Sequence, residues 1–288
     1  MITYHTTTIE GVPLFYREAG APTAPPLVLL HGFPSSSHMF RELIRDLEPH
    51  FHLFAPDYPG FGNSAAPTPS DFPYTFDHLA DVIEAWLATL GLERYSLFMQ
   101  DYGGPVGFRL AVRHPEAITA LIIQNASIYL EGLSPAWAPL REYWKDRQAL
   151  EPGIRGFLTA ETTRFQYLEG AGHPERISPD AYQSDQAFLD RPGNDAIQLE
   201  LLYTYQSNPE RYPMWQAYLR QHQPRTLIVW GKRDPFFTEA GALAYQKDLP
   251  NAEIHLFESG HFLLEEYHAE VAQHIQTFLA PSHPHEPA

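Results

Sequence analysis

The stretch that decides the fold is Leu97-Phe98-Met99-Gln100-Asp101-Tyr102-Gly103-Gly104. An apolar run long enough for a covered strand ends in Gln100, turns at Asp101 and meets two glycines. From Val106 to Val112 the spacing of apolar residues is then helical. A strand, a sharp turn and a helix in this order hold the turn residue at the carboxyl edge of a sheet, over the free N–H groups of the helix. The glycines are required because the two backbones nearly touch, which is the geometry of a nucleophile elbow. Asp is also a favoured helix N-cap, so the turn alone leaves both roles open for Asp101.

Outward from this stretch the same grammar recurs. Leu27–Leu30, His52–Ala55, Ala120–Ile123, Thr226–Trp230 and Ile254–Phe257 are short apolar runs of the kind covered on both faces. Amphipathic stripes lie between them, the clearest being Leu79, Val82, Ile83, Trp86, Leu87 and Leu90. At the start, Thr6–Ile9 and Val12–Tyr16 flank Glu10-Gly11 and predict a hairpin. The alternation predicts an α/β chain with a mostly parallel sheet and helices on both faces. It breaks between about Tyr129 and Tyr212, a stretch rich in Trp, Tyr and Pro without a clear buried strand. The expected organisation is a core of residues 1–128 and 213–288, with residues 129–212 inserted as a helical cap over the carboxyl ends of the strands. The Pro281–Pro287 tail is expected to be disordered.

Composition narrows the function. The 288 residues carry 19 Lys+Arg against 35 Asp+Glu, a net charge of −16, which disfavours nucleic acid and anionic membranes as partners. No cysteine is present, which excludes thiol catalysis, disulfides and Cys-based metal sites. The 27 prolines point to a fold with many loops. Neither a signal peptide nor a run near the ~18 apolar residues of a membrane span is visible, so a soluble, cytoplasmic protein is expected.

Two more strand ends carry chemistry. Thr226–Trp230 runs into Gly231-Lys232-Arg233-Asp234, and Ile254–Phe257 runs into Glu258-Ser259-Gly260-His261. Singly, Asp234 is a turn residue and His261 a loop histidine. Together with Asp101 they give the order nucleophile, acid, base, each just past a strand. After Leu27–Leu30, His31-Gly32-Phe33-Pro34 turns backbone N–H groups toward the elbow. The N–H groups of Phe33 and Tyr102 are the nominated oxyanion donors. Asp57–Ser64 is a Gly-rich loop read as structural.

These motifs resemble those of the α/β-hydrolases, and within them the epoxide hydrolases and haloalkane dehalogenases with an aspartate nucleophile. The resemblance covers the chain from the hairpin to about Leu279 and implies an eight-stranded, mostly parallel sheet. A carboxylate nucleophile needs no base to activate it. Attack on an ester carbonyl would give a mixed anhydride, whereas attack on a saturated carbon gives an ordinary alkyl ester. Water activated by His261, with Asp234 on its other nitrogen, then opens that ester. Neither a metal nor an organic cofactor is needed, and the expected partner is a small apolar molecule.

The leaving group separates the two families. An epoxide leaves as a basic alkoxide and needs a proton donor such as a Tyr phenol. A halide needs only hydrogen-bond donors, such as an indole N–H, in a dry pocket. Leu202-Tyr203-Thr204-Tyr205-Gln206 resembles the epoxide hydrolase segment that supplies a ring-opening tyrosine. It nominates Tyr205, although Gln206 stands where Arg is usual. Tyr129 is the candidate for a second phenol, and Trp137 and Trp144 are candidate pocket residues and indole donors. Fluoroacetate dehalogenation is rejected, because Tyr102 and Pro105 occupy the positions where two Arg would hold the carboxylate. The reading is epoxide opening, with haloalkane dehalogenation second. A non-catalytic ligand-binding homologue is third, disfavoured because a binder has no need of all three of Asp101, Asp234 and His261.

Overall fold

The computed structural model describes residues 1–280; the Pro281–Pro287 tail lies outside the described residues. Strands β1 (Thr3–Ile9) and β2 (Val12–Ala19) form the hairpin, with Glu10 and Gly11 both at positive φ in the turn. They join β3 (Pro26–Leu30), β4 (His52–Pro56), β5 (Tyr95–Gln100), β6 (Ile118–Gln124), β7 (Thr226–Gly231) and β8 (Glu253–Phe257). The eight strands lie in the order 1-2-4-3-5-6-7-8, antiparallel as far as the β2–β4 pair and parallel beyond it. Helices α1 (Arg41–Leu47), α2 (Phe76–Thr89), α3 (Gly103–Arg113), α10 (Glu239–Ala244) and α11 (Leu264–Leu279) belong to this core. Two separate apolar clusters follow from the strand alternation. Leu97 and Met99 fall in one with α2 and α3, and Phe98 in the other with α1 and α11. Among the described residues, no helix is long and apolar enough to cross a membrane.

Between β6 and β7 the chain is helical, with α4 (Ala138–Tyr143), α5 (Arg147–Ile154), α6 (Ala160–Leu168), α7 (Pro179–Leu189), α8 (Asn194–Thr204) and α9 (Ser207–His222). The boundary expected at residue 212 falls inside α9. That helix packs on the core through Phe108 against Trp215 and through Arg109, whose guanidinium donates to Asn208 Oδ1 at 2.8 Å. At the other end, Tyr129 packs on Tyr245 in the core. We therefore propose that the cap proper is residues 138–206.

Two glycines fix how the site closes. A side chain at Gly103 would run into the Leu30 carbonyl, so α3 can start this close to β3 only with glycine there. A side chain at Gly32 would run into the Asp101 side chain, so the loop after β3 can approach the elbow only without one.

Candidate active site

Asp101 sits at the end of β5 with φ of +48°, a left-handed conformation that costs a non-glycine residue about 1–2 kcal/mol. It does not cap the helix: the N-cap of α3 is Tyr102, with no side-chain capping bond. Instead the carboxylate is held by backbone. Phe33 N–H donates to Asp101 Oδ1 at 2.7 Å, and the neighbouring Tyr102 N–H favours the charged carboxylate. Burial raises the Asp101 pKa to about 6, against the attraction of His261 and the two N–H groups.

Asp234 and His261 come from the loops after β7 and β8. His261 Nδ1 lies 2.7 Å from Asp234 Oδ2, and both side chains are buried. Asp234 is saturated: Asn125 Nδ2 donates to Oδ2 at 2.8 Å, and the N–H groups of Phe236 and Phe237 donate to Oδ1 at 2.7 and 3.1 Å. With its other lone pairs taken by these donors, Asp234 Oδ2 accepts from the ring and fixes Nδ1–H as the histidine's inner tautomer. Burial of the ring works against its charged form, but Asp234 and Asp101 outweigh it, and the His261 pKa lies above its ordinary value. On the outer side, His261 Nε2 is 2.9 Å from the Gln100 amide nitrogen.

The cavity above these groups has a volume of about 50 Å³ and lies between the sheet edge and the cap. Asp101, Tyr102, Gln166, Tyr205 and His261 supply its polar atoms; Phe33, Trp137, Leu140, Phe236 and Phe237 are among its apolar walls. Tyr205 stands at the end of α8, fully buried, packed on Tyr102 at 5.7 Å and on Trp137 at 4.8 Å. Burial pushes its phenol well above 10, and Tyr212 stands against it. The Tyr102 hydroxyl is buried without a protein partner.

Two nominated pocket residues are corrected. Tyr129 is not in the cavity: its hydroxyl donates to Asp248 Oδ2 at 2.6 Å, deep in the core. Trp144 backs the wall rather than lining it. Its indole N–H donates to the Leu202 carbonyl at 2.9 Å, and its ring lies behind Tyr205, nearly parallel to it at 6.4 Å. Trp137 does line the cavity, but its N–H is engaged by the Phe236 carbonyl at 3.0 Å. Neither indole is therefore free to face a halide.

Sequence reasoning passed over Asn125, Gln100, Phe236 and Phe237. Asn125 was findable. It is a polar residue just past an apolar strand, the rule that nominated Asp101, Asp234 and His261, and like Asp101 it has positive φ, +43°. The backbone role of Phe236 and Phe237 had no signal, because any residue but proline supplies an N–H. The Asp57–Ser64 loop is structural as expected. The Asp57 carboxylate accepts from the N–H groups of Ser37 and Asn63, both at 2.7 Å. Among the described residues, the group that could jointly hold a cation is Glu253, His255 and His274, outside the cavity.

An eight-stranded sheet of this order, with Asp101, Asp234 and His261 at three strand ends, is an α/β-hydrolase arrangement. The family model of the alpha/beta hydrolase fold matches residues 25–267, and the chain belongs to that family; it is a hydrolase. It is 41% identical to the uncharacterized hydrolase YNR064C of Saccharomyces cerevisiae over 94% of each chain. It is 30% identical to haloalkane dehalogenase 1 of Mycobacterium bovis over 87% of this chain and 82% of that one. Among solved structures it is similar to the epoxide hydrolase CorEH. That TM-score is 0.80 at 22% identity, with 98% and 99% of the two chains covered, a likeness of fold.

Proposed function

We propose that the chain is a cofactor-free hydrolase that opens an epoxide to a diol through an Asp101 alkyl ester. The observation that carries this is the carboxylate in the elbow. Asp101 faces an apolar cavity, with one oxygen held by the Phe33 N–H and phenols standing in the same cavity.

In the first step an Asp101 oxygen forms a bond to a ring carbon. The carbon–oxygen bond breaks, its electron pair goes to the ring oxygen, and the Tyr205 hydroxyl gives that oxygen a proton. Burial makes Tyr205 a weaker acid than a free phenol, and the proton moves as the ring oxygen gains charge. In the second step His261 takes a proton from water, and the hydroxide adds to the ester carbonyl. The oxyanion develops between the Phe33 and Tyr102 N–H groups. Collapse releases the diol, and the proton set free by ester hydrolysis restores Tyr205.

Haloalkane dehalogenation by the same triad is the second reading. The relative of that name at 30% identity favours it. The engaged indoles of Trp137 and Trp144 weigh against it.

A single turnover in ¹⁸O-water over a panel of epoxides and haloalkanes tests both. Solvent oxygen should appear in the Asp101 carboxylate and not in the first product released. Label found directly in that product would mean that water attacks the substrate, and the ester reading would be wrong. The substrates turned over separate the epoxide from the halide reading.

A further inference from the structure

We infer that Gln166 reads the substrate, its side-chain amide holding a hydrogen-bond acceptor on the part of the molecule remote from the carbon that Asp101 attacks. This rests on the ring-opening reading and names the class of epoxide that suits the cavity. Gln166 is 3% exposed, lines the cavity from α6, and its Nε2 is buried without a protein partner. The residues around it are all committed. Thr163 Oγ1 donates to Gln186 at 2.7 Å, Phe165 packs edge-on against Phe236, and the Tyr167 hydroxyl donates to Asp185 at 2.5 Å. The Tyr167 ring is stacked on Phe262 at 3.7 Å, next to the catalytic base. Phe165 and Tyr167 thus anchor the α6 turn that carries Gln166 against Phe236 and Phe262. Tyr205 packs instead with Tyr102, Phe76 and Trp137.

A buried N–H left without an acceptor is more costly than an apolar group of the same shape. In so apolar a cavity the side chain therefore makes sense when the occupant supplies the oxygen. That oxygen is not the leaving one, which Tyr205 serves. The cavity is narrow, which favours a short chain beyond the reacting carbon. The substrate class is a small epoxide carrying an ether, hydroxyl or carbonyl oxygen, rather than a plain alkene oxide.

The test compares glycidyl methyl ether with 1,2-epoxypentane, the same shape with CH₂ in place of the ether oxygen. Burial of apolar surface alone would favour the hydrocarbon, so a preference for the ether identifies a polar contact. Wild-type kcat/KM should favour the ether by about tenfold, the size of one neutral hydrogen bond. Gln166→Leu should abolish that preference, chiefly by lowering kcat/KM for the ether. Gln166→Met, which keeps the length of the side chain and removes the donor, should do the same. Because kcat/KM reports events up to ester formation, a role in holding the hydrolytic water would lower kcat for both substrates and leave the preference intact. That result, or a wild type that does not favour the ether, overturns the assignment. If neither epoxide is hydrolysed, it is the ring-opening reading that fails. The same comparison then passes to 2-bromoethyl methyl ether against 1-bromobutane, whose ester formation needs only Asp101.

Discussion

Replacing Asp234 by Asn should stop the second half of the reaction and spare the first, and the reason lies in which oxygen is committed where. Oδ1 accepts two backbone N–H groups, from Phe236 at 2.7 Å and Phe237 at 3.1 Å, while Oδ2 faces His261 Nδ1 at 2.7 Å. An asparagine has one oxygen. Turning its NH₂ toward the two backbone donors would leave both buried and unpaired, at about 1–3 kcal/mol each, whereas the opposite orientation displaces one donor, Asn125 Nδ2, which keeps the Gly231 carbonyl at 3.1 Å. The oxygen therefore stays with Phe236 and Phe237, and the NH₂ faces the imidazole. His261 must then accept at Nδ1 and carry its proton on Nε2, so it can no longer take one from water. The loss in ester hydrolysis should be about 10⁴-fold, the cost of a catalytic histidine held in the wrong tautomer. Ester formation uses neither ring nitrogen and should stay within a few-fold of wild type. Mixing Asp234→Asn in excess with an epoxide that the wild type consumes should add the epoxide's mass to the intact protein within one turnover. Quenched flow should show no matching burst of diol. Diol released at the wild-type rate, or substrate consumed without an adduct, would refute the argument; circular dichroism identifies a variant that has merely unfolded.

Two further outcomes follow from the same geometry. The Asp101 pKa is raised to about 6 and the nucleophile must be ionised, so kcat/KM should fall as pH drops through that value, about tenfold per pH unit below it. Ester hydrolysis needs neutral His261, so in a substrate limited by that step kcat should rise with pH as the ring loses its proton; because the ester removes the Asp101 charge that helps to raise this pKa in the resting enzyme, the rise should fall below the resting His261 pKa. A pH profile of kcat/KM that is flat down to pH 5 would contradict the first of these. Gly32→Ala places a methyl group against the Asp101 side chain and should displace the carboxylate from the Phe33 N–H. A shift approaching 1 Å is expected to cost about 10² in kcat/KM, with a much smaller effect on the thermal midpoint.

The legible and illegible parts of this chain divide by the kind of physics involved. Strands covered on both faces must be apolar throughout, so β3, β5, β6 and β7 are visible as runs, and chemistry at their ends is visible by contrast. Asp101, Asp234 and His261 are all found this way. Backbone roles are legible only where sterics force a residue type, as at Gly32 and Gly103, and the donors from Phe236 and Phe237 leave no such mark. The cap is where reading failed. Its helices pack irregularly on one another and on the core, and an aromatic residue there looks the same whether it faces ligand or protein. Tyr129 and Tyr205 are both buried phenols; only their partners, Asp248 for one and the cavity for the other, separate them. Gln166 sits on a helix with no strong apolar stripe, so nothing in the sequence distinguishes it from a surface amide.

The donors around Asp101 pose a question about rate. N–H groups that stabilise the resting carboxylate ought to slow its attack, since they hold the ground state as well as the later oxyanion. Burial offsets this. The protein environment as a whole holds the anion less well than water does, because the pKa lies near 6 rather than near 4. The carboxylate is thus a stronger nucleophile than a free one, yet about nine-tenths ionised at pH 7. Without the Phe33 and Tyr102 N–H groups and the His261 charge, burial would push the pKa higher still and leave less of the carboxylate charged. The elbow sets a balance: enough apolar cover to make the carboxylate reactive, and enough directed charge and dipole to keep it charged. A serine at this position would meet the same donors without the same balance, because its attacking oxygen is neutral until the base takes its proton. The donors would then act only on the intermediate.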